Sequence, residues 1–111
     1  MLDIIKSASF DDWLSGLKDR TARARIQARI TRLALGNAGD AKRVGFGISE
    51  LRMHFRPGYR VYYMTRYSRV IVLLCGGDKS SQPEDIKRAQ MLENITKANG
   101  GAGVYFNIAK P

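Results

Sequence analysis

Apolar and polar residues alternate most regularly between Glu50 and Met64, in the stretch ELRMHFRPGYRVYYM. Leu51, Met53 and Phe55 alternate with Glu50, Arg52 and His54, which is the two-residue period of a half-buried strand. Beyond Arg56-Pro57-Gly58-Tyr59, Val61 and Tyr63 alternate with Arg60 and Tyr62, and Pro57-Gly58 is a turn signal. The pattern predicts a β-hairpin. A two-residue loop sets Arg60 opposite Phe55 on the apolar face, and ordinary type I or II turns of that length splay the strands. A longer loop or a bulge is therefore expected. One residue of slip pairs Val61 and Tyr63 with Phe55 and Met53, and gathers Arg60 with Arg56, His54 and Arg52. Burial of the apolar set selects that register, because a slip turns every side chain over. One face is then expected to be core and the other a basic concavity onto which Arg60 opens. A solvated charged face is the plain alternative.

Flanking segments show other periods. Residues 2–5 suit a short first strand, and Ser9 and Asp12 have capping-box spacing ahead of Phe10, Trp13, Leu14 and Leu17 at helical spacing. A second helix is expected from about Arg20 to Leu35, with Ala22, Ile26, Ile30 and Leu33 as its apolar stripe and Gly36 as its stop. Arg25, Arg29 and Arg32 form a second stripe, suited to solvent, a partner protein or RNA. The glycine-rich residues 36–49 are expected to be a loop. After the hairpin, VIVLLC at Val70–Cys75 suits a central strand buried on both faces. Pro83, Glu84 and Asp85 open a third helix that runs to about Lys97, with acidic residues suited to its dipole. The order strand, two helices, three strands, helix predicts an α+β domain over residues 1–97, with helices on a mainly antiparallel sheet. Residues 98–111 form a separate C-terminal tail, in which VYFNI suits either an edge strand or a mobile end.

Charge changes the picture most. The 111 residues carry a formal charge of +9, and the pI is about 10.1, which implies an acidic partner, either nucleic acid or a protein covering the same surface. One cysteine, Cys75, excludes an internal disulfide and reads as a small buried hydrophobe. The apolar runs are too short to span a bilayer, and MLDIIKSASF lacks the pattern of a signal peptide, so a cytoplasmic protein without a membrane partner is expected. GGDKSS lacks the G-x-x-x-x-G-K-[ST] spacing of a phosphate loop, so no nucleotide cofactor is expected.

The combination ELRMHFRPGYRVYYM and VIVLLCGGDKSSQPEDIKRA, after an arginine-rich helical hairpin, resembles the RelE/ParE toxin superfamily over about residues 2–96. It is most similar to the addiction-module killer proteins related to HigB toxins. The resemblance implies a RelE-like fold and the toxin of a type II toxin–antitoxin module, with a cognate antitoxin that wraps the toxin and carries it to operator DNA. RelE-like members cut mRNA in the ribosomal A site without metal, using the RNA 2′-hydroxyl as nucleophile; ParE-like members instead poison DNA gyrase. A basic module with neither activity is a third possibility.

Metal-independent cleavage needs a proton acceptor, a proton donor and fixed cations around the phosphorane. By resemblance, Arg60 in GYRVYY matches the arginine on the scissile phosphate, and Lys79 in GGDK matches a second cation. His54 and Arg52 lie where related toxins place Lys or His. His54 is the chain's one histidine and the side chain whose unperturbed pKa suits proton transfer near neutrality. Arg60, His54 and Lys79 are thus the candidate catalytic residues. Arg52, Arg56 and Tyr62 are candidate RNA contacts, and Arg25, Arg29 and Arg32 a candidate antitoxin surface. Plainer roles exist for each: Arg60 could hold acidic antitoxin groups, Lys79 could cap the sheet, and His54 could be structural. The segment SSQPEDIKRA departs from the RelE-like pattern, having neither Tyr nor His where many such nucleases carry an acid or base; Ser81 and Asp85 are weak substitutes.

Overall fold

In a computed structural model the chain is described over residues 1–98 and 105–109. The elements run β1 (Asp3–Ser7), α1 (Ala8–Gly16), α2 (Arg20–Ala34), β2 (Ala41–Gly45), β3 (Ile48–Arg52), β4 (Tyr59–Arg66), β5 (Val70–Asp78), α3 (Gln82–Ala98) and β6 (Tyr105–Ala109), with a short 3-10 turn at Lys79–Ser81. The α+β class holds. The sheet is mixed, in the order β2-β3-β4-β5-β1-β6, with β1 parallel to β5 and the other pairs antiparallel. The VYFNI stretch contributes β6 beside β1; the rest of the expected tail, 99–104 and 110–111, lies outside the described residues.

Two sets of helices cover the two faces. Phe10 and Leu14 of α1 and Ala22, Ile26, Ile30 and Leu33 of α2 pack with Leu51, Met53, Val61, Tyr63, Ile71 and Leu73. Ala89 of α3 packs on Ile48, Tyr62, Met64, Val72, Leu74 and Cys75. Strand β5 is buried from Ile71 to Gly77, as its unbroken apolar run requires. Gly76 and Gly77 let both layers approach the end of this strand. A Cβ at Gly76 would enter the Trp13 ring, and one at Gly77 would enter the Asp85 carboxylate.

Several local expectations need correction. Helix α1 is capped by Ser7, whose Oγ accepts from the Phe10 amide at 3.0 Å, not by Ser9. Ser7 serves because it ends a strand in extended geometry and its hydroxyl can also donate to the Leu74 carbonyl. Residues 36–49 are not one loop. They hold β2 and the start of β3, joined by a two-residue turn at Phe46-Gly47 with φ of +57° and +75°, so four strands lie between α2 and α3. The glycines that suggested a loop supply the left-handed turn of a hairpin.

The β3–β4 connection is the longer loop expected, but the register differs. Val61 pairs with Leu51, Tyr63 with Ser49 and Arg60 with Arg52. Phe55 and Met53 are therefore loop residues rather than strand partners. The second face is not an open basic concavity either, because α3 covers it: Tyr62 is fully buried and Arg60 is 6% exposed.

Candidate functional site

Three segments meet at one end of the sheet: the 53–58 loop, the start of β4 and the end of β5. Pairing of Arg60 with Gly77 and of Tyr59 with Asp78 brings Lys79 beside the loop. His54, Arg56, Arg60 and Lys79 line a pocket of about 240 Å³ whose rim includes Pro57 and Gly58. Gly58 has φ +83°, and a Cβ there would lie 3.4 Å from the Lys79 Cβ and 3.6 Å from the Arg60 Nη1. The glycine both permits the turn and leaves room for two cationic side chains to converge.

Arg60 is anchored. Its Nη1 donates to the carbonyls of Gly58 at 3.1 Å, Tyr59 at 3.2 Å and, more weakly, Met53 at 3.5 Å. Its Nε faces Glu50 Oε1 at 3.7 Å, beyond hydrogen-bond range, and is a buried donor without a bonded partner. Glu50 is wholly buried and is the hub of this layer. It accepts from Arg52 Nε at 3.0 Å, from the Tyr62 hydroxyl at 3.0 Å and from Gln82 Nε2 at 2.6 Å. A buried carboxylate is tolerated because two guanidiniums and two neutral donors replace its water. Burial, and then the neighbouring Glu50 charge, push the Tyr62 phenol far above its usual pKa, so Tyr62 acts as a donor to Glu50. A ring in that position offers no face to a base. The RNA contact expected of Tyr62 is replaced by a supporting role, and Arg52, 30% exposed at its side chain, is turned partly inward.

His54 is held differently. Its side chain is 70% exposed, and Nε2 is paired with Asp40 Oδ2. The hydrogen bond to His54 holds the Asp40 carboxyl below its ordinary pKa. The Asp40 carbonyl in turn accepts from the Arg52 amide at 3.0 Å and from Arg29 Nη2 at 3.4 Å. Arg29 also donates to the carbonyls of Arg52 at 2.7 Å and Ala38 at 3.0 Å, so it ties α2 to the hairpin. Burial and the nearby Arg32 lower its pKa. Arg25 lies over the Phe55 ring, 4.9 Å from its centroid, a cation–π distance. A second groove of about 330 Å³ runs between α2 and the loop, lined by Arg25, Arg29, Arg32, Met53, His54 and Phe55. Met53, His54 and Phe55 belong to both pockets, so the two cationic hollows adjoin.

Around Lys79, the side chains are committed inward. Asp78 accepts from the Ser80 amide at 2.8 Å and caps the 3-10 turn, and these bonds to Ser80 hold its carboxyl below the ordinary range. Ser81 Oγ donates to the buried Asp85 at 2.5 Å. Cys75 is buried, and desolvation pushes its thiol up to about 12, which suits packing rather than nucleophilic attack. Among the described residues, no cluster of His, Cys, Asp and Glu is gathered for a metal ion, and no helix is long and apolar enough to cross a membrane.

Glu50, Gln82 and Asp40 are not singled out by the sequence. Glu50 shares its strand face with Ile48, and the unbroken VYYM run of β4 signals burial on both faces; together these mark a buried carboxylate. Nothing local marks Gln82 or Asp40, whose roles arise from tertiary contact.

Residues 12–99 match the family described as Phage derived protein Gp49-like. The chain therefore belongs to this Gp49-like family, which lies within the RelE/HigB-like toxin superfamily. Membership implies a toxin-like protein with a cognate antitoxin as partner. A protein of Haemophilus influenzae (strain Rd), described as uncharacterized, is 50% identical over 91 residues, covering 82% of this chain and 92% of the relative. No solved structure matches the chain.

Proposed function

We propose that this protein is the toxin of a type II toxin–antitoxin module, of the addiction-module killer (HigB-like) kind, and acts in the cytoplasm as a metal-independent, ribosome-dependent mRNA endonuclease. The reading rests on one observation above all: Arg60 and Lys79 flank Gly58 in a pocket that His54 and Arg56 complete. In such a pocket the RNA 2′-hydroxyl attacks the adjacent phosphorus, the O2′–P bond forms and the P–O5′ bond breaks. Arg60 stabilises charge on the phosphorane with a guanidinium fixed before substrate arrives. His54 moves a proton, and its pairing with Asp40 orients the ring. Lys79, Arg52 and Arg56 hold the RNA. The cognate antitoxin takes the Arg25, Arg29 and Arg32 groove, which adjoins the pocket through His54, so antitoxin and mRNA exclude one another. Operator DNA is met only through the antitoxin complex.

One observation favours a second reading, binding of DNA gyrase without cleavage. Ser81, Asp85 and Gln82 are bonded inward, to each other or to Glu50, so none of these three stands free as a second proton-transfer group beside Lys79. Primer extension on total mRNA after brief induction separates the two. Cuts in phase with the reading frame are expected; intact mRNA with a DNA-damage response instead means a gyrase poison.

A further inference from the structure

The end of the sheet opposite the pocket carries a second, different arrangement. Hairpins β2–β3 and β4–β5 lie side by side and close there, the first through Phe46-Gly47 and the second through residues 67–69, with Tyr67-Ser68 at the centre of its turn. The Arg69 amide closes the second turn on the Arg66 carbonyl at 3.0 Å. All four central residues have positive φ, at +57°, +75°, +55° and +54°. Positive φ at both central residues is the backbone for which Asn, Asp or Gly is favoured at the first position. Here both first positions are aromatic. A left-handed conformation is unfavourable for a non-glycine residue, and neither ring recovers the cost by burial, since Phe46 is 69% and Tyr67 83% exposed.

The surroundings of the two rings are cationic. Arg43, Phe46, Ser49 and Thr65 line a groove of about 480 Å³. Arg66 and Arg69 flank Tyr67 in sequence. Among the described residues, the side chains of Arg43, Arg66 and Arg69 have no ion pair or hydrogen bond, in contrast to Arg29, Arg52 and Arg60 in the other half of the molecule. Two exposed aromatic rings interleaved with unpartnered arginines are the components of a single-stranded nucleic-acid platform, where rings stack on bases and cations meet phosphates. Strand β4 separates this end from Arg60 by about 20 Å, from its rise per residue, so it is not an extension of the pocket.

We infer that Phe46 and Tyr67, with Arg43, Arg66 and Arg69, form a second RNA-binding surface that stacks unpaired bases at the pole opposite the pocket. An acidic protein would be drawn by the arginines but has no need of two strained, exposed rings. A stacking platform needs those rings and tolerates any base.

The test is equilibrium binding of full-length protein to a short labelled oligouridylate with 2′-O-methyl groups, which a 2′-hydroxyl-dependent nuclease cannot cut. Binding is thus read independently of the proposed cleavage, and either can fail alone. Phe46→Leu and Tyr67→Leu keep apolar bulk but remove the π-face; each should weaken binding about 5- to 150-fold. Exchanging Arg43, Arg66 and Arg69 for Gln should flatten the logarithmic salt slope by about 0.7 for each phosphate no longer neutralised. Ultraviolet cross-links should map to both rings. Polyglutamate should bind the two leucine variants as it binds wild type. Unchanged oligouridylate affinity in correctly folded variants, with cross-links confined to the 53–60 segment, would overturn the inference. So would equal losses for polyglutamate, which mark a protein-docking face, or a wild-type dimer that the leucine variants lack.

Discussion

Arg60 and His54 line the same pocket and are held in opposite ways. Arg60 is buried, spread across three carbonyls and faced by the Glu50 carboxylate, which is itself fixed from β3, β4 and α3. His54 stands in solvent on a loop, restrained by one carboxylate. A charge that must stabilise a developing phosphorane gains from having nothing left to reorganise. A group that must collect and return a proton gains from access to substrate and solvent. The pocket thus combines an immobile cation, built into the sheet, with an accessible imidazole supplied by the loop, the division of labour that the proposed cleavage calls for. On the proposed reading, Glu50 matters as much as the residues that line the pocket.

Removing the hub should have the largest effect. Glu50→Ala leaves Arg60 as a buried cation without its counter-ion, and loss of one partner from such a pair costs about 3–5 kcal/mol. Urea unfolding should show that loss, and an unchanged midpoint would mean that Arg60 does not depend on Glu50. Arg60→Lys keeps a charge for Glu50 but removes the planar fork. It should slow cleavage by about 10²–10³, the usual effect of losing one preorganised donor, while circular dichroism remains that of the wild type. Arg60→Ala is a poorer probe than the sequence suggests, because the side chain is interior and its loss disturbs the fold as well as the chemistry.

The His54 side of the comparison should respond in activity rather than stability. His54→Gln should leave the unfolding free energy, read from urea titration, within about 0.5 kcal/mol of wild type, as for surface substitutions generally. A larger loss would make the ring structural. The smallest effect belongs to Asp40→Asn. An exposed pair contributes little, so cleavage should fall by about fivefold or less. The loss should be greatest above the titration of Asp40: its depressed carboxyl contributes while ionised, and that contribution disappears as pH falls through its folded value. A rate ratio independent of pH would remove Asp40 from the proton path.

Much of this architecture is legible in the sequence. The 3.6-residue stripe of α2 and the unbroken apolar run of β5 each encode their own burial, and both are found as read. Convergence of Arg60, His54 and Lys79 at one end of the sheet follows from the order of elements. What stays hidden is information that is not local. The glycines at 45 and 47 signal a turn, but nothing nearby says whether the turn joins paired strands, so β2 does not show. The alternation of Phe55 and Met53 suggests a register, whereas the ladder ends at Arg52 and both residues leave it. Glu50 alternates with Leu51 and Met53 like a solvent-facing charge; only its neighbours Ile48 and the VYYM run point the other way, and α3, which covers it and supplies Gln82, lies far along the chain.

The most direct test is single-turnover cleavage of mRNA on programmed ribosomes by wild type, Arg60→Lys and His54→Gln, each checked for folding. The geometry of the pocket predicts slowing by about 10²–10³ for Arg60→Lys and about 10²–10⁴ for His54→Gln, with ribosome binding retained in both. Two folded variants that cut at the wild-type rate would contradict it, and would leave this end of the sheet as an antitoxin dock alone.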